Sequence, residues 1–242
     1  MDTCFWGPDG WKLSHSIVHM FPNNPSNDDK LYYYLFFESF KYILPCIYCR
    51  RSFSEYTQKH PIINCLKNKD SLTKWLYDIH NMVNDKLRKQ GYNTKQDPSY
   101  DNICQYYDNY INDINYNDCI NMPGWDFLYC IFYNYPDDVN EPKKLPKDYS
   151  VVERHPHYII FLNSLIYVLP FKKVKNILNK YSLDKLIINK KDDFMKLIHD
   201  LEKCVSSYIN KKCMSYDDRC EYIDKYKVKC TDDKNTCRIK TL

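Results

Sequence analysis

Alanine does not occur in this chain of 242 residues, and glycine occurs only four times. These scarcities, together with heavy use of Asn, Lys, Ile and Tyr, are typical of an AT-rich genome and carry no information about the fold. Without alanine, the core must be built from Leu, Ile, Phe and Tyr. A length of 242 residues with 44% apolar side chains suits two domains better than one.

The chain also lacks a long apolar run, a targeting segment and a strong charge. Its longest apolar run, residues 158–169, is too short to span a bilayer and contains Asn163, so it predicts a buried helix. No secretory signal peptide is recognisable, which predicts a protein that is not secreted. Because that run is too short, no membrane span is expected. The formal charge of +4 is modest for this length, so no nucleic-acid partner is expected.

Apolar side chains recur with a helical period through the first half of the chain, and no segment there alternates with period two. Helices are predicted over residues 11–22, 30–44, 46–60 and 71–90, with a shorter one near 101–111. The Gly-Pro-Asp-Gly stretch at residues 7–10 is the expected entry turn of the first helix. Ser71 is the predicted N-cap of the fourth helix, and Gly91 follows its end. The first half is therefore predicted to be an all-α bundle.

A proline-rich charged stretch divides the chain. Residues 136–150 hold three prolines and almost nothing apolar, which predicts a linker between a first domain, 1–135, and a second domain, 151–242. Beyond the linker, helices are predicted near 156–170, 172–181 and 192–212, followed by a polar, cysteine-rich tail.

Twelve cysteines are unexpected without a signal peptide, because reducing compartments do not favour structural disulfides. Cys46 and Cys49 form the one Cys-x-x-Cys pair, directly behind Pro45. A zinc site normally needs a second such pair, and attachment of c-type haem needs a histidine where Arg50 stands. A thioredoxin-like site would need a βαβ context, whereas the neighbours here are helical.

Position favours redox chemistry for this pair. At a helix N-terminus, backbone N–H groups and the helix dipole stabilise a thiolate, and Arg50 and Arg51 add positive charge. Zinc binding and two buried structural cysteines are the alternatives. At the level of function, the alternative is a disulfide- or zinc-stabilised helical interaction module without catalysis.

A second set of residues predicts a binding site for a planar polar ligand. His80 and Asn84 lie one helical turn apart on the fourth helix, with Trp75 a little over one turn earlier. Trp11 and His15 repeat the one-turn spacing on the first helix. A solvated helix face is the alternative interpretation of the set on the fourth helix.

These motifs resemble, in order and spacing, those of the flavin-dependent sulfhydryl oxidases of the Erv/ALR family. The matching pattern is Gly7-x-x-x-Trp11-x-x-x-His15, then Pro45-Cys46-x-x-Cys49, then Trp75-x-x-x-x-His80-Asn81-x-Val83-Asn84-x-x-Leu87-x-Lys89. The match covers about residues 5–110. The lack of alanine and the unmatched C-terminal region make the chain similar to a giant-virus member such as that of mimivirus, with an AT-rich parasite as the alternative source.

The resemblance implies a four-helix bundle with a short fifth helix, noncovalently bound FAD and a homodimer. The resemblance does not extend to the second, mostly helical domain, whose fold and function it leaves open. The implied FAD contacts are Gly7, Trp11, His15, Tyr42, His80, Asn81, Val83, Asn84 and Lys89. Cys46 is expected to face solvent and take electrons from protein dithiols, and Cys49 to face the flavin, which reduces O2 to H2O2. Viral protein substrates and a location in the host cytoplasm, at the viral factory, or in the virion are expected.

Three departures from the family pattern concern the site. Tyr77 and Thr94 occupy the positions of a family disulfide, so this bridge is expected to be either absent or replaced by one between Cys65 and Cys104. Pro8 stands where an arginine is common, which places a phosphate contact in doubt. No second Cys-x-x-Cys shuttle is visible, so Cys230 and Cys237 in the tail are the candidate shuttle pair.

Overall fold

The computed structural model describes residues 1–92, 95–116, 122–138, 140, 148–179 and 190–227, and across these ranges all regular structure is helical. This confirms the all-α prediction. The helices are α1 (Thr3–Val18), α2 (Asn27–Ile43), α3 (Ile47–Lys59), α4 (Lys69–Lys89), α5 (Tyr100–Tyr116), α6 (Trp125–Tyr133), α7 (Val151–Val168), α8 (Lys172–Leu178), α9 (Lys191–Tyr208) and α10 (Tyr216–Asp224).

The first helix begins well before the predicted residue 11. Asp2 caps α1 by accepting a hydrogen bond from the backbone N–H of Cys4, and Pro8 lies inside the helix. The Gly-Pro-Asp-Gly stretch was expected to be the entry turn, but it serves packing instead. A Cβ on Gly10 would lie 2.9 Å from the Phe127 ring, so only glycine lets α1 approach α6 this closely.

The redox segment lies at the corner between α2 and α3. The Ser26–Asp29 capping box starts α2, and Pro45 follows its C-cap, Leu44. Cys46 is the N-cap residue of α3, as the sequence predicts. In α4 the N-cap is Asn68, whose side chain accepts from the backbone N–H of Ser71, so the prediction of Ser71 as the cap was wrong.

Two helices were not predicted. In α6, Trp-Asp-Phe-Leu-Tyr-Cys-Ile-Phe-Tyr is apolar nearly all round, so it shows no amphipathic period. It packs against α1, α9 and α10, which cover its sides. The other, α10, lies in the tail that was expected to be merely polar, and Ser215 caps it.

The C-terminal helices share the core of the bundle. α7 runs along α2, and its Phe161 ring meets Phe36, Phe127 and Phe132 at centroid distances of 5.4, 6.5 and 6.3 Å. α7 to α9 match the three helices predicted beyond the linker, although α7 starts earlier than expected. The division at residues 136–150 stays a prediction, and residues 139 and 141–147 lie outside the described part of the chain. No helix in the described ranges is long and apolar enough to cross a bilayer.

Candidate redox site

A cavity of about 440 Å³ opens among the first six helices, and its wall is largely aromatic and aliphatic. Six of the residues predicted from the sequence line it: Gly7, Trp11, Cys49, His80, Val83 and Asn84. They come from α1, α3 and α4, so the fold brings together motifs that are up to 77 positions apart in the chain (84 − 7). Aromatic residues that the sequence did not single out, including Trp6, Phe40, Phe53 and Phe127, complete the wall.

One side of the cavity is built from stacked rings. Trp11 lies on His80 with 4.0 Å between ring centroids and an interplanar angle of 10°. His15 lies just behind, with its Nε2 3.2 Å from Nδ1 of His80, and Tyr107 of α5 stacks on His15 at 4.9 Å. The stack fixes both imidazoles in place, and its Trp11 and His80 members form a wall suited to a planar ligand.

Both histidines of the stack are neutral at pH 7. Burial lowers the pKa of His15 well below its ordinary value, and the neighbouring His80 and His19 lower it further. Burial also lowers the pKa of His80 to about 4, although Asp97 opposes the shift. A neutral imidazole keeps one donor and one acceptor, so the pair offers hydrogen bonds without adding charge to the cavity.

The dithiol lies where α3 begins, and Cys49 of the pair lines the cavity. Burial alone would raise the pKa of Cys46, but hydrogen bonds from the Cys49 thiol and from the backbone N–H groups of Cys49 and Tyr48 outweigh it. Together with the nearby N-terminal ammonium, they lower the pKa of Cys46 to about 7. The pKa of Cys49, the donor in this pair, is raised well above its ordinary value. The helix N-terminus therefore stabilises the thiolate as the sequence predicted.

The exposure of the pair differs from the expectation. Cys46 is 0% exposed, so the prediction that it lies toward solvent was wrong for this structure. Met1 is buried beside it, with its α-amino group close enough to interact electrostatically with Cys46, Cys49 and Cys130. The next residue, Asp2, donates its backbone N–H to the carbonyl of Tyr226 at 2.9 Å. The chain start is thus held over the dithiol by the end of α10.

The predicted arginines contribute less to the dithiol than expected. Arg51 forms an exposed ion pair with Glu55, and Arg50 forms a buried pair with Asp148. The cation that the sequence analysis missed is Lys86, which lines the cavity, donates to Ser52 Oγ at 2.7 Å and favours a Cys49 thiolate. Lys86 lies three residues before Lys89 on α4, so helical spacing was the available signal.

Three other predicted contacts lie outside the cavity wall. The ring of Tyr42 stacks on His157 at 3.5 Å and meets Tyr149 at 4.2 Å, because α7 covers this end of α2. Asn81 of α4 is not among the residues that line the cavity, and Lys89 is exposed in the last turn of α4. The geometry of the cavity therefore gives no support to ligand contacts by these three residues.

Asn84 is fixed by a partner that the sequence did not reveal. Its side-chain amide donates to Asp97 at 2.7 Å, and Arg88 binds the other carboxylate oxygen of Asp97 at 2.7 Å. Asp97 comes from the connection between α4 and α5, so only the folded chain identifies it. This ion pair orients the amide at the cavity edge.

The disulfide expected between Cys65 and Cys104 is not formed. The charges that act on Cys65 are those of Lys67 and Asp78, whereas Cys104 lies among Tyr100, Asp70 and Asp108. Tyr77 instead joins α4 to the following connection by donating to the Pro98 carbonyl at 2.9 Å. The shuttle candidates Cys230 and Cys237, and Thr94, lie outside the described residues. Within the described ranges, no cluster of His, Cys, Asp or Glu is arranged to hold a metal ion.

Comparison with known proteins decides the family. The sequence model of the Erv1/Alr family matches residues 8–104. An FAD-linked sulfhydryl oxidase of African swine fever virus is 31% identical over 85 residues, which are 35% of this chain and 70% of that protein. The chain belongs to the Erv1/Alr family. The family match runs from α1 into α5, and α6 to α10 lie beyond it.

Two further members share this Erv1/Alr region. A probable FAD-linked sulfhydryl oxidase of Acanthamoeba polyphaga mimivirus is 44% identical over 80 residues, or 33% of this chain and 56% of that protein. The mitochondrial FAD-linked sulfhydryl oxidase of Saccharomyces cerevisiae is 31% identical over 83 residues, or 34% and 43%. The chain spans about half the length of these two relatives, and the sequence-based resemblance to viral members is confirmed.

Proposed function

We propose that the protein is an FAD-dependent thiol oxidase, which makes disulfide bonds in protein substrates and passes the electrons to O2. The observation that carries this proposal is the placement of the dithiol. Cys49 lines an aromatic cavity, and its partner Cys46 has a pKa of about 7 at the start of the same helix. The relatives whose names include FAD-linked sulfhydryl oxidase support the same cofactor and reaction.

The cavity fits a flavin. Its volume of about 440 Å³ falls within the usual range of small-molecule sites. A Cβ on Gly7 would meet nothing within 4 Å, so the glycine leaves open the space that the ligand needs. In the wall, the Nε1 of Trp6 is a buried donor with no partner, available to an acceptor on a bound ring. The residues that would hold FAD are Gly7, Trp11, His80, Val83 and Asn84, with His15 behind them; Asn81, Lys89 and Tyr42 rest on the family resemblance alone.

Cys46 is the exchange residue in this proposal. In the disulfide form of the pair, a substrate thiolate attacks the Cys46 sulfur, forms a mixed disulfide and releases Cys49 as a thiolate. The second substrate thiolate then attacks the substrate sulfur, so the substrate leaves as a disulfide and Cys46 leaves as a thiolate. The pKa of about 7 makes Cys46 a good leaving group near neutral pH.

Cys49 receives the electron pair and faces the cavity. The charges of Lys86 and Arg50 stabilise its thiolate when the disulfide opens. When bound, FAD would accept two electrons from the dithiol, which restores the disulfide, and would pass them to O2, which yields H2O2. The neutral His15–His80 pair and the rings around it orient the ligand and keep water from the Cys49 side.

Access to Cys46 requires the covering residues to move, because its sulfur is buried. Cys230 and Cys237, which lie outside the described residues, are proposed from the sequence alone as the shuttle that delivers electrons to Cys46. Replacing both with serine is then expected to slow oxidation of a protein substrate and leave oxidation of dithiothreitol intact.

The source, the location, the oligomeric state and the domain division belong to the same proposal. The similarity to oxidases of mimivirus and African swine fever virus supports a viral source, hence viral protein substrates and a site of action in the host cytoplasm or virion. A homodimer rests on the family resemblance, and light scattering of the purified chain measures it. A division into an oxidase domain, 1–135, and a C-terminal helical domain, 151–242, rests on the proline-rich stretch between them.

The deciding experiment uses the purified full chain. We expect a yellow protein with flavin absorption, uptake of one O2 per dithiol oxidised, and release of one H2O2. A colourless chain that binds no added FAD and consumes no O2 with any dithiol contradicts the proposal. If that chain carries zinc in stoichiometric amount, it is the helical interaction module instead.

A further inference from the structure

A buried ion pair lies directly behind the redox helix and joins it to the C-terminal part of the chain. The Nε and Nη2 of Arg50, the residue after Cys49, donate to the two carboxylate oxygens of Asp148 at 3.1 and 2.7 Å. The two side chains are only 6% and 7% exposed. Asp148 stands just before α7, outside the region that matches the family.

The same guanidinium also holds the corner that carries the dithiol. The Nη1 of Arg50 donates to the carbonyl of Leu44 at 2.9 Å, at the end of α2 and two residues before Cys46. Arg154 of α7 donates its Nε to the carbonyl of Tyr42 at 2.8 Å. Two cations thus satisfy the carbonyl end of α2, where the helix dipole favours positive charge, and one carboxylate fixes the first of them.

The Asp148 carboxylate also affects the electrostatic potential at the dithiol, because it is paired with Arg50. A buried arginine with a bidentate carboxylate presents a neutral pair, whereas a buried arginine alone presents a full positive charge. At the effective dielectric of about 20 that describes protein sites, one charge within a helical turn changes a thiolate equilibrium about tenfold or more. The carboxylate is thus placed to offset the charge of Arg50 beside Cys49.

We propose that Asp148 is a positioning residue of the dithiol: its carboxylate holds Arg50 against the end of α2 and sets the reduction potential of the Cys46–Cys49 pair. The oxidase role of this effect rests on the proposed function, but the effect itself is measured on the dithiol without turnover. Through Asp148, the C-terminal part of the chain tunes a site to which its described residues add no part of the cavity wall.

Other groups also face the dithiol and must stay constant in the test. They are the N-terminal ammonium of Met1, Lys86 of α4 and Tyr56 of α3, while Arg154 of α7 faces Arg50 and Asp148. A substitution confined to Asp148 leaves all of them in place. A shift of the dithiol–disulfide equilibrium in that variant can then be attributed to loss of the Asp148 carboxylate.

The test compares Asp148→Asn with the full-length wild type in glutathione redox buffers without oxygen. The Cys46–Cys49 pair is quantified by alkylation and mass spectrometry. Loss of the carboxylate leaves Arg50 unopposed and stabilises the thiolate, so we expect the equilibrium to move toward the dithiol by about tenfold. The pH midpoint for alkylation of Cys46 is expected to fall in the same variant.

Glu202→Gln is the matched control. It removes one carboxylate from another buried arginine, Arg219, whose Nη2 lies 2.5 Å from Glu202 Oε1 with side chains 10% and 8% exposed. We expect this variant to lose stability as Asp148→Asn does, with an unchanged dithiol equilibrium. Asp148→Glu keeps the charge and is expected to stay within about twofold of the wild type.

A dithiol equilibrium and a pH midpoint in Asp148→Asn equal to those of the wild type overturn the proposal, as does an equal shift in Glu202→Gln. If Asp148→Asn does not fold, Asp148→Glu decides instead. A dithiol equilibrium displaced by more than about twofold in Asp148→Glu then overturns the proposal. Neither readout depends on FAD reduction or O2 uptake. A chain without oxidase activity can therefore still show the shift, which separates failure of this proposal from failure of the proposed function.

Discussion

The bundle α1 to α5 and the helices α7 to α10 differ in what they contribute to the site. Within the described ranges, the cavity is lined by residues from α1 to α6, and none comes from α7 to α10. Yet Arg154 of α7 and Asp148, two residues before the α7 cap Ser150, both reach the redox corner. The contrast indicates that one region holds the reacting groups, while the other supports and covers them from outside.

The largest effect should follow from removing a reacting thiol in the bundle. Cys49→Ser is expected to abolish dithiol-dependent O2 uptake, a loss on the order of a thousandfold or more, because no second sulfur remains to close the disulfide. Flavin absorption should persist, since a serine leaves the cavity wall intact. Cys220→Ser in α10 is the control and should oxidise dithiothreitol at the wild-type rate. Retained turnover in Cys49→Ser would refute the assigned role.

A core substitution tests whether the two regions are separable. Phe161 of α7 is fully buried between rings of α2 and α6, so Phe161→Ala is expected to lower the free energy of unfolding by about 3 to 5 kcal/mol. Urea unfolding followed by circular dichroism and by flavin absorption should give one shared transition, shifted in both signals. The exposed Val152→Ala in the same helix should change stability by less than about 0.5 kcal/mol.

Two separate transitions, with the flavin signal unmoved by Phe161→Ala, would show that the bundle stands without the C-terminal helices. That outcome would also support the predicted boundary at residues 136–150.

The smallest expected effect is a pH dependence that belongs to the bundle. Since burial lowers the pKa of His80 to about 4, the unfolded chain binds protons more readily than the folded one between pH 6.5 and pH 4. Stability should fall as the pH falls through this window, by about 2 kcal/mol at pH 5. His80→Gln should lower this dependence, measured by urea midpoints at pH 7 and pH 5.

His60→Gln, at an exposed position, is the matched control and should keep the wild-type pH dependence. A pH dependence in His80→Gln as steep as that of the wild type would show that His80 is not the buried neutral base.

The bundle could be predicted in detail from the sequence, because its signals are local. Helical period predicted α2 to α4, Pro45 predicted the corner, and the Cys46-x-x-Cys49 pair predicted the thiolate at a helix start. The start of α1 was missed because Pro8 and two glycines predict a turn. Close packing on α6 requires Gly10, and that reason is visible only in three dimensions.

Features that depend on tertiary contacts were predicted less well than those with local signals. α6 has no polar face, so a periodic pattern could not reveal it, and several helices bury it at once. Asp97 and Asp148 lie in connections, 13 and 98 positions from the residues they bind, and nothing local marks them as partners. The cover over Cys46 depends on a contact between the two ends of the described chain.

By itself the sequence determined the helical class, the family resemblance and the six cavity residues, because motif spacing along helices places side chains on known faces. Only the tertiary structure decided that Cys46 is buried, that Tyr42 turns away, and that Asp148 opposes the charge beside Cys49. The physical reason is that burial and charge pairing depend on which distant segments come into contact. The spacing of residues along one helix does not reveal those contacts.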